Sequence, residues 1–116
     1  MLADLLNDLF MFDPYEMTWT NLTNSVRGTP PSPRERHGFT STNGTLFVFG
    51  GSGQWDIHHQ TVYLNDFYQL DPISMEWTNM TDLCWGNLPT PRASFGFAST
   101  ENKLYVFGGS DQDLNG

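Results

Sequence analysis

Cysteine, basic residues and long apolar runs are all scarce in this chain of 116 residues. The single Cys84 excludes an intramolecular disulfide framework and a cysteine-based zinc site. Five Lys and Arg residues against 13 Asp and Glu residues give a net charge of −8, which would repel a phosphate backbone. No apolar run approaches the roughly 18 residues of a membrane-spanning helix, and the first ten residues lack the basic residue of a signal peptide. We therefore expect neither a nucleic-acid nor a membrane partner; the compartment stays open, with an intracellular location favoured.

The residues that are abundant point to a folded protein built from short strands. Apolar residues make up 38% of the chain and aromatic residues 15%, which is too much for a disordered segment. Eleven Gly and seven Pro predict many turns, and hence short strands rather than long helices. The length allows one ordinary domain at most, since domains typically have about 100–200 residues.

The chain contains two copies of one unit, related by a constant offset of 58 residues (66 − 8 = 58) without any gap. The identical pairs include Asp8 and Asp66, Trp19 and Trp77, Arg34 and Arg92, Gly50 and Gly108, and Gly51 and Gly109. A fixed period near or slightly above 50 residues indicates a repeat architecture, and periods of this size occur in propeller blades.

Each unit has four short segments rich in β-branched and aromatic residues, separated by turn signals. Asn43-Gly44 suits a type I′ hairpin turn, because both central residues of that turn need positive φ. Asp71-Pro72 suits a turn in which Asp caps the first position and Pro presets φ at the next. The segment Leu46–Phe49 is apolar on both faces, which indicates a strand covered on both sides. Together these features predict an all-β fold with four antiparallel strands per unit.

The order of the motifs resembles the kelch repeat. Phe-Gly-Gly closes the second strand of the unit, Asp-Pro follows the third, Trp comes six residues after that Asp, and Pro-x-Pro-Arg precedes the first strand. The resemblance covers essentially the whole chain, in two copies. It implies a kelch-type β-propeller with the galactose oxidase/kelch-like fold, in which each blade is a sheet of four antiparallel strands.

The chain begins and ends in the middle of a blade, so we expect one full blade and two half-blades. The predicted divisions are residues 1–33 (third and fourth strands of one blade and a connecting loop), 34–80 (a complete blade) and 81–116 (a linking loop and the first two strands of the next blade). Two blade-equivalents fall short of the usual 4–8 blades of a propeller. We therefore expect further blades to complete the ring, either in cis or by homo-oligomerisation, as when three chains form six blades.

Antiparallel pairing predicts that the long loops lie at one end of the blade, the loop end, and the tight turns at the other, the turn end. Long loops on a rigid scaffold commonly bind partners. We expect a groove for a protein or an acidic peptide there, with Arg and Trp side chains as anchors. The candidate binding residues are Arg27, Arg36, His37, Trp55, His58 and Trp85. The predicted function is thus a non-enzymatic kelch-repeat module for protein interaction.

Residues that recur at the repeat interval are interpreted as scaffold, because repeated positions usually serve the repeat itself. Trp19 and Trp77 are expected in the core, and Arg34 and Arg92 are expected to form ion pairs with a recurring aspartate: Asp8, Asp66, Asp13 or Asp71. The predicted structural set is Asp8, Trp19, Arg34, Gly50, Gly51, Asp66, Trp77, Arg92, Gly108 and Gly109.

Two alternative functions stay open. One is a fragment of a galactose-oxidase-like or other propeller enzyme; the copper site of that family needs Tyr, His and a Cys crosslinked to Tyr, but no pattern here places a Tyr or His beside Cys84. The other is a carbohydrate-binding propeller that uses Trp55, Trp85 and Tyr63.

Neither a metal nor another cofactor is predicted. Asp56, His58 and His59 offer too few ligands with the right orientation, since adjacent strand residues point to opposite sides. Asp111, Asp113 and Asn115 match only the first half of a calcium-binding loop, and a polar turn is the favoured interpretation.

Overall fold

The computed structural model describes residues 4–112 and shows three antiparallel sheets in a row. The described strands are β1 (Phe10–Asp13), β2 (Thr18–Asn21), β3 (Gly38–Thr42), β4 (Thr45–Gly53), β5 (Val62–Asp71), β6 (Glu76–Asn79), β7 (Gly96–Thr100) and β8 (Lys103–Phe107). The strand orders are β1-β2, β3-β4-β5-β6 and β7-β8. The all-β prediction of one four-stranded blade flanked by two partial ones is confirmed. Within residues 4–112, no helix has the length and apolar character needed to cross a membrane.

The predicted turn chemistry explains how the central blade folds back on itself. Asn43 and Gly44 have φ of 50° and 78°, as the type I′ turn between β3 and β4 requires. In the turn between β5 and β6, the Asp71 carboxylate accepts the backbone N–H groups of Ile73 and Ser74. Both turns lie at the same end of the blade, because the start of β4 pairs with the end of β5 (Leu46 with Leu70).

The glycine pair at the end of β4 is required sterically. Gly50 has φ of 62°, and the register of β4 against β5 shifts between Phe49 and Gly51, which marks a β-bulge. A Cβ on Gly51 would lie 2.7 Å from the carbonyl oxygen of Glu35 at a φ of 97°, so no other residue fits there without strain.

The core lies on the face of the central blade that is turned toward β1 and β2. Its buried residues are Val48, Tyr68, Leu70 and Trp77, and Leu9, Val26 and Leu46 pack against them. The opposite face carries Phe49, whose ring lies 5.6 Å from Phe95 and 6.3 Å from Phe97 of the next half-blade. The central blade is therefore covered on both faces.

The expectation that Trp19 is a core residue is wrong for this chain. Trp77 is 8% exposed, whereas Trp19 is 70% exposed and touches only the ring of Phe12 among the described aromatic contacts. Trp77 covers Leu70, its partner in the β5–β6 register, and Val48 of the inner strand β4. The half-blade that carries Trp19 has no inner strands beside β1 within residues 4–112, so nothing corresponds to Val48.

Candidate functional site

Arg34 is a structural residue at the junction of the first half-blade and the central blade. Its guanidinium binds Asp66 in a bidentate ion pair, with Nη1–Oδ1 at 2.7 Å and Nη2–Oδ2 at 2.9 Å. Nη1 also donates to the Gly50 carbonyl at 3.0 Å, and Nε and Nη2 donate to Ser32. The side chain of Arg34 is 3% exposed. A buried charge with all these partners holds the backbone in place and is not available to a ligand.

Arg92 makes the same kind of hydrogen bonds to uncharged oxygen atoms as Arg34 does, but it has no carboxylate partner among residues 4–112. Its Nη1 donates to the Gly108 carbonyl at 3.1 Å, and its Nε and Nη2 donate to Thr90 at 3.1 and 3.0 Å. Among residues 4–112, no aspartate or glutamate pairs with it. Among the described residues, the expected ion pair therefore forms at Arg34 and not at Arg92.

Arg36 lies at the loop end, where it follows Arg34 toward β3. Its Nη2 donates to Ser52 Oγ at 3.1 Å, and its Nε lies 3.9 Å from the Glu35 carboxylate. Arg36 has a φ of 56°, and Ser94 has the same left-handed backbone (φ 58°) one repeat later. The exposed guanidinium of Arg36 is thus held against β4, with room for a further anionic contact.

The loop of residues 54–61 joins β4 to β5 at the loop end and is organised by Asp56. The Asp56 carboxylate accepts backbone N–H groups from His58 at 2.8 Å and from Gln60 at 3.1 Å. The Gln60 and His58 hydrogen bonds lower the pKa of Asp56 below its usual value. Trp55 is 46% exposed and packs edge-on against His59, with ring centroids 5.8 Å apart. The loop therefore presents Trp55 and His59 as an aromatic pair on a backbone held by hydrogen bonds. The exposed His58 lies between these two residues in the sequence.

His37 lines a cavity of about 270 Å³ between the first half-blade and the central blade. Leu6, Asn7, Asp8 and Leu9 form one side of this cavity, and Arg34, Phe39, Val48 and Trp77 are among the residues on the other. Partial burial, and secondarily the Arg34 charge, lower the pKa of His37 below 6.5. His37 therefore lines the seam between the two blades, directly before the start of β3.

Arg27 was expected at the loop end, and this placement is wrong. Its backbone forms a parallel bridge to Glu76 at the start of β6, and its Nη2 donates to the Ser74 carbonyl at 3.0 Å. The segment after β2 runs along the outer strand of the central blade to the turn end before it returns to Arg34. The sequence pattern located the ends of this loop correctly but carried no information about its path.

Trp85 belongs to the same kind of segment one repeat later, and its place at the loop end stays a prediction. It lies 58 residues after Arg27, and the glycines that follow the two residues, Gly28 and Gly86, have φ of 80° and 95°. A Cβ on Gly28 would collide with Trp77 of the outer strand β6, whereas Gly86 has open space around it. The 98% exposure of Trp85 reflects the absence of an equivalent outer strand within residues 4–112.

Among residues 4–112, neither the cysteine nor the acidic clusters form a metal-binding arrangement. Cys84 is exposed, and its thiol donates to the Met80 carbonyl. Within residues 4–112, no group of three or more His, Cys, Asp or Glu side chains is arranged to hold a metal ion. Asp113 and Asn115 of the possible calcium loop lie outside the described residues.

Sequence reasoning did not identify three residues that contribute to these sites. Ser52 is 1% exposed and accepts the Arg36 hydrogen bond, and Leu6 and Asn7 form part of the cavity wall. Ser52 and its counterpart Ser110 share the 58-residue offset, and both form backbone bridges, to Glu35 and to Ala93. The recurrence of this serine was a signal that could have found it.

The central blade is an antiparallel sheet of four strands with a bulge at Gly-Gly and a buried Arg bound to Asp. This combination is typical of β-propeller repeat proteins. The chain matches the family described as "KLHDC2/KLHL20/DRC7 Kelch-repeats domain" over residues 3–115. It therefore belongs to the kelch-repeat family.

The relatives that this chain matches are much longer proteins. The chain is 36% identical to "Rho GTPase-activating protein gacHH" of Dictyostelium discoideum over 97 residues, which cover 84% of this chain and 6% of that protein. It is 34% identical to "N-(sulfonatooxy)prop-2-enimidothioate sulfolyase" of Thlaspi arvense over 104 residues, covering 89% of this chain and 28% of that protein. Each relative is thus more than three times as long as the part that this chain matches.

A solved structure of similar fold, "Structure of YjhT", superposes with a TM-score of 0.70 at 24% sequence identity. The match covers 91% of this chain and 29% of that one. At this identity, the likeness shows a shared fold and nothing about activity.

Proposed function

We propose that this kelch-repeat chain is a non-enzymatic protein-interaction module that binds a partner protein at its loop end. The observation that carries the proposal is the fixed loop of residues 54–61, on which Trp55 packs against His59 beyond the ends of the strands. Partly exposed Trp side chains on a rigid backbone lose little entropy on binding and are common interface anchors.

The charge near Trp55 favours a partner segment that combines an apolar group with a carboxylate. Arg36 is bonded to Ser52, three residues before Trp55, and its guanidinium stays exposed. The loop end has fewer free basic side chains than the sequence alone indicated. Arg27 lies at the turn end, and the Arg34 guanidinium is bound to Asp66. The proposed partner segment therefore uses one acidic contact beside an aromatic or aliphatic anchor, rather than a run of acids.

The test is to select peptides from a displayed random library on the wild-type chain and to measure their affinities for variants. Trp55→Ala and Arg36→Asn should each weaken the selected peptides at least about tenfold, as expected for residues at the centre of an interface. Asn is chosen because it tolerates the positive φ at position 36 while removing the charge. Ile73→Ala is the matched control, because Ile73 is 93% exposed at the turn end and should not change affinity.

Other outcomes separate the proposal from its rivals. Peptides that bind Trp55→Ala normally but lose affinity for Ile73→Ala would move the binding surface to the turn end. A glycan array that binds the wild type but not Trp55→Ala would replace the protein partner with a carbohydrate.

A further inference from the structure

A hydroxyl-bearing residue followed by proline precedes each of the two repeated arginines. The matching segments are Ser32-Pro33-Arg34 and Thr90-Pro91-Arg92. In both, the arginine Nη2 donates to the hydroxyl oxygen, at 3.2 Å for Ser32 and at 3.0 Å for Thr90. The arginine Nε donates to the backbone carbonyl of the same residue. Each hydroxyl therefore lies directly against a guanidinium that ties its segment to the blade.

The hydroxyl at this repeat position is accessible beside a complete blade on either side. Ser32 precedes all four strands of the blade to which Arg34 belongs, and Thr90 follows all four strands of the same blade. Both residues are exposed. A complete blade thus leaves the position open whether it comes before or after the hydroxyl, and the exposure of Ser32 does not depend on the half-blade beside it.

The Arg34 guanidinium has all of its N–H donors in use. Nε donates to the Ser32 carbonyl, Nη1 to the Gly50 carbonyl and to Asp66 Oδ1, and Nη2 to Ser32 Oγ and to Asp66 Oδ2. The Arg34 side chain is 3% exposed and the Asp66 side chain 27%. The Asp66 carboxylate therefore neutralises a buried cation that has no donor left for a second anion.

A phosphate group on Ser32 would bring a second anion to this guanidinium. Its phosphorus would be bonded to the oxygen atom that now lies 3.2 Å from Arg34 Nη2. A phosphoserine carries about −1.5 to −2 charges at neutral pH and several strong acceptor oxygens. The phosphate would repel the Asp66 carboxylate and compete with it for the same donors, so the hydrogen bonds from Arg34 to β4 and β5 would weaken.

We propose that Ser32 is a phosphorylation site and that its modification loosens the central blade at Arg34. The modifying enzyme is a protein kinase that accepts serine followed by proline, since Pro33 restricts Ser32 to an extended backbone. Ser32 Oγ forms a bond to the γ-phosphorus of a nucleoside triphosphate. The bond from that phosphorus to the bridging oxygen breaks, the hydroxyl proton passes to a base of the kinase, and the nucleoside diphosphate leaves. This proposal is independent of partner binding at the loop end.

The first test separates charge from size at position 32. Ser32→Glu should lower the urea midpoint of the chain below that of Ser32→Gln, because the two side chains have nearly the same shape and differ in charge. Thr29→Glu and Thr29→Gln are the matched controls, since Thr29 is also exposed and is also followed by a proline. The Thr29 pair should have equal midpoints. A Ser32 pair with equal midpoints would overturn the proposal.

The second test asks whether the new charge acts through Arg34. Asp66→Asn removes the charge of the Arg34 partner and keeps an acceptor oxygen. In that background, Ser32→Glu should no longer lower the urea midpoint, because the introduced carboxylate replaces the one that Arg34 has lost. An equal effect of Ser32→Glu with and without Asp66→Asn would show that the charge at position 32 does not act on the Arg34–Asp66 pair.

The third test uses the modification itself. The full chain and its Ser32→Ala variant are incubated with a panel of proline-directed protein kinases and ATP, and the modified residues are located by mass spectrometry. We expect phosphate on Ser32, and faster hydrogen exchange in the peptides that contain Gly50 and Asp66 than in the unmodified chain. A chain that takes up no phosphate at Ser32, or a modified chain whose peptides exchange no faster, would overturn the proposal.

Discussion

Two tryptophans at the same repeat position show how strongly context decides the role of a residue. Trp77 is 8% exposed over Leu70 and Val48, whereas Trp19 is 70% exposed. The side chain and the local turn are the same in both units, because Met17 and Met75, which precede the two outer strands, have φ of 57° and 56°. The two units differ in their inner strands: β3 and β4 lie beside β5 and β6, whereas no described inner strand lies beside β1 and β2.

This difference predicts unequal costs for the same substitution. Trp77→Ala should destabilise the chain by about 3–5 kcal/mol, the range for emptying a large aromatic site. Trp19→Ala should cost about 1 kcal/mol or less, because little buried area is lost. Urea unfolding at a low, fixed chain concentration measures both, and equal losses would contradict the division into a complete blade and half-blades.

His37 makes the stability of the chain depend on pH. Partial burial, with the Arg34 charge, lowers its pKa in the folded state below 6.5. The unfolded chain then binds the proton more tightly, so stability is full above 6.5 and falls as the pH drops from 6.5 toward the lowered folded pKa. Arg34 and the exposed Asp8 carboxylate are the other ionisable groups that line the cavity.

The matched variant is His37→Phe, which copies Phe95 at the equivalent repeat position. We expect its urea midpoint to change less than that of the wild type between about pH 7.5 and about pH 5.5. An unchanged pH dependence in this variant would show that His37 does not cause it.

At the scale of the elements, the strands and turns were predictable because their signals are local. The Asn43-Gly44 turn, the alternation in β7 and the bulge at Gly50 depend on residues close together in sequence. Even the replacement of Asn-Gly by Glu101-Asn102 keeps the turn, with φ of 51° and 64°, because the flanking strands impose it. A left-handed Glu is a strained choice that local propensity alone would not predict.

The candidate site was less predictable, because its members depend on the path of the connections. The offset of 58 residues paired Arg34 with an aspartate, and the structure confirms Asp66 as that partner. The position of Arg27 against Ser74 required knowledge that the segment after β2 follows the outer strand, and its sequence has no periodicity that encodes this path. Trp55 was predicted from its place in a long loop, but its contact with His59 depends on the fold of that loop.

At the scale of the whole molecule, two surfaces of different character lie on one scaffold. The loop end carries Trp55 and Arg36 on residues that the repeat does not require, which suits a partner-specific surface. The open edges at β1 and β8 carry residues that the repeat does require, which suits contacts between blades. The two surfaces can therefore be tested separately, and Trp55→Ala should change the free energy of unfolding far less than Trp77→Ala.

The central claim is that this chain has one complete blade and two complementary half-blades. Hydrogen exchange read by mass spectrometry tests it most directly. We predict that β4 and β5, which have pairing partners on both sides, exchange slowly, and that β1 and β8 exchange faster because each has one pairing partner among residues 4–112. Rates for β1 and β8 as slow as those for β4 and β5 would contradict the account.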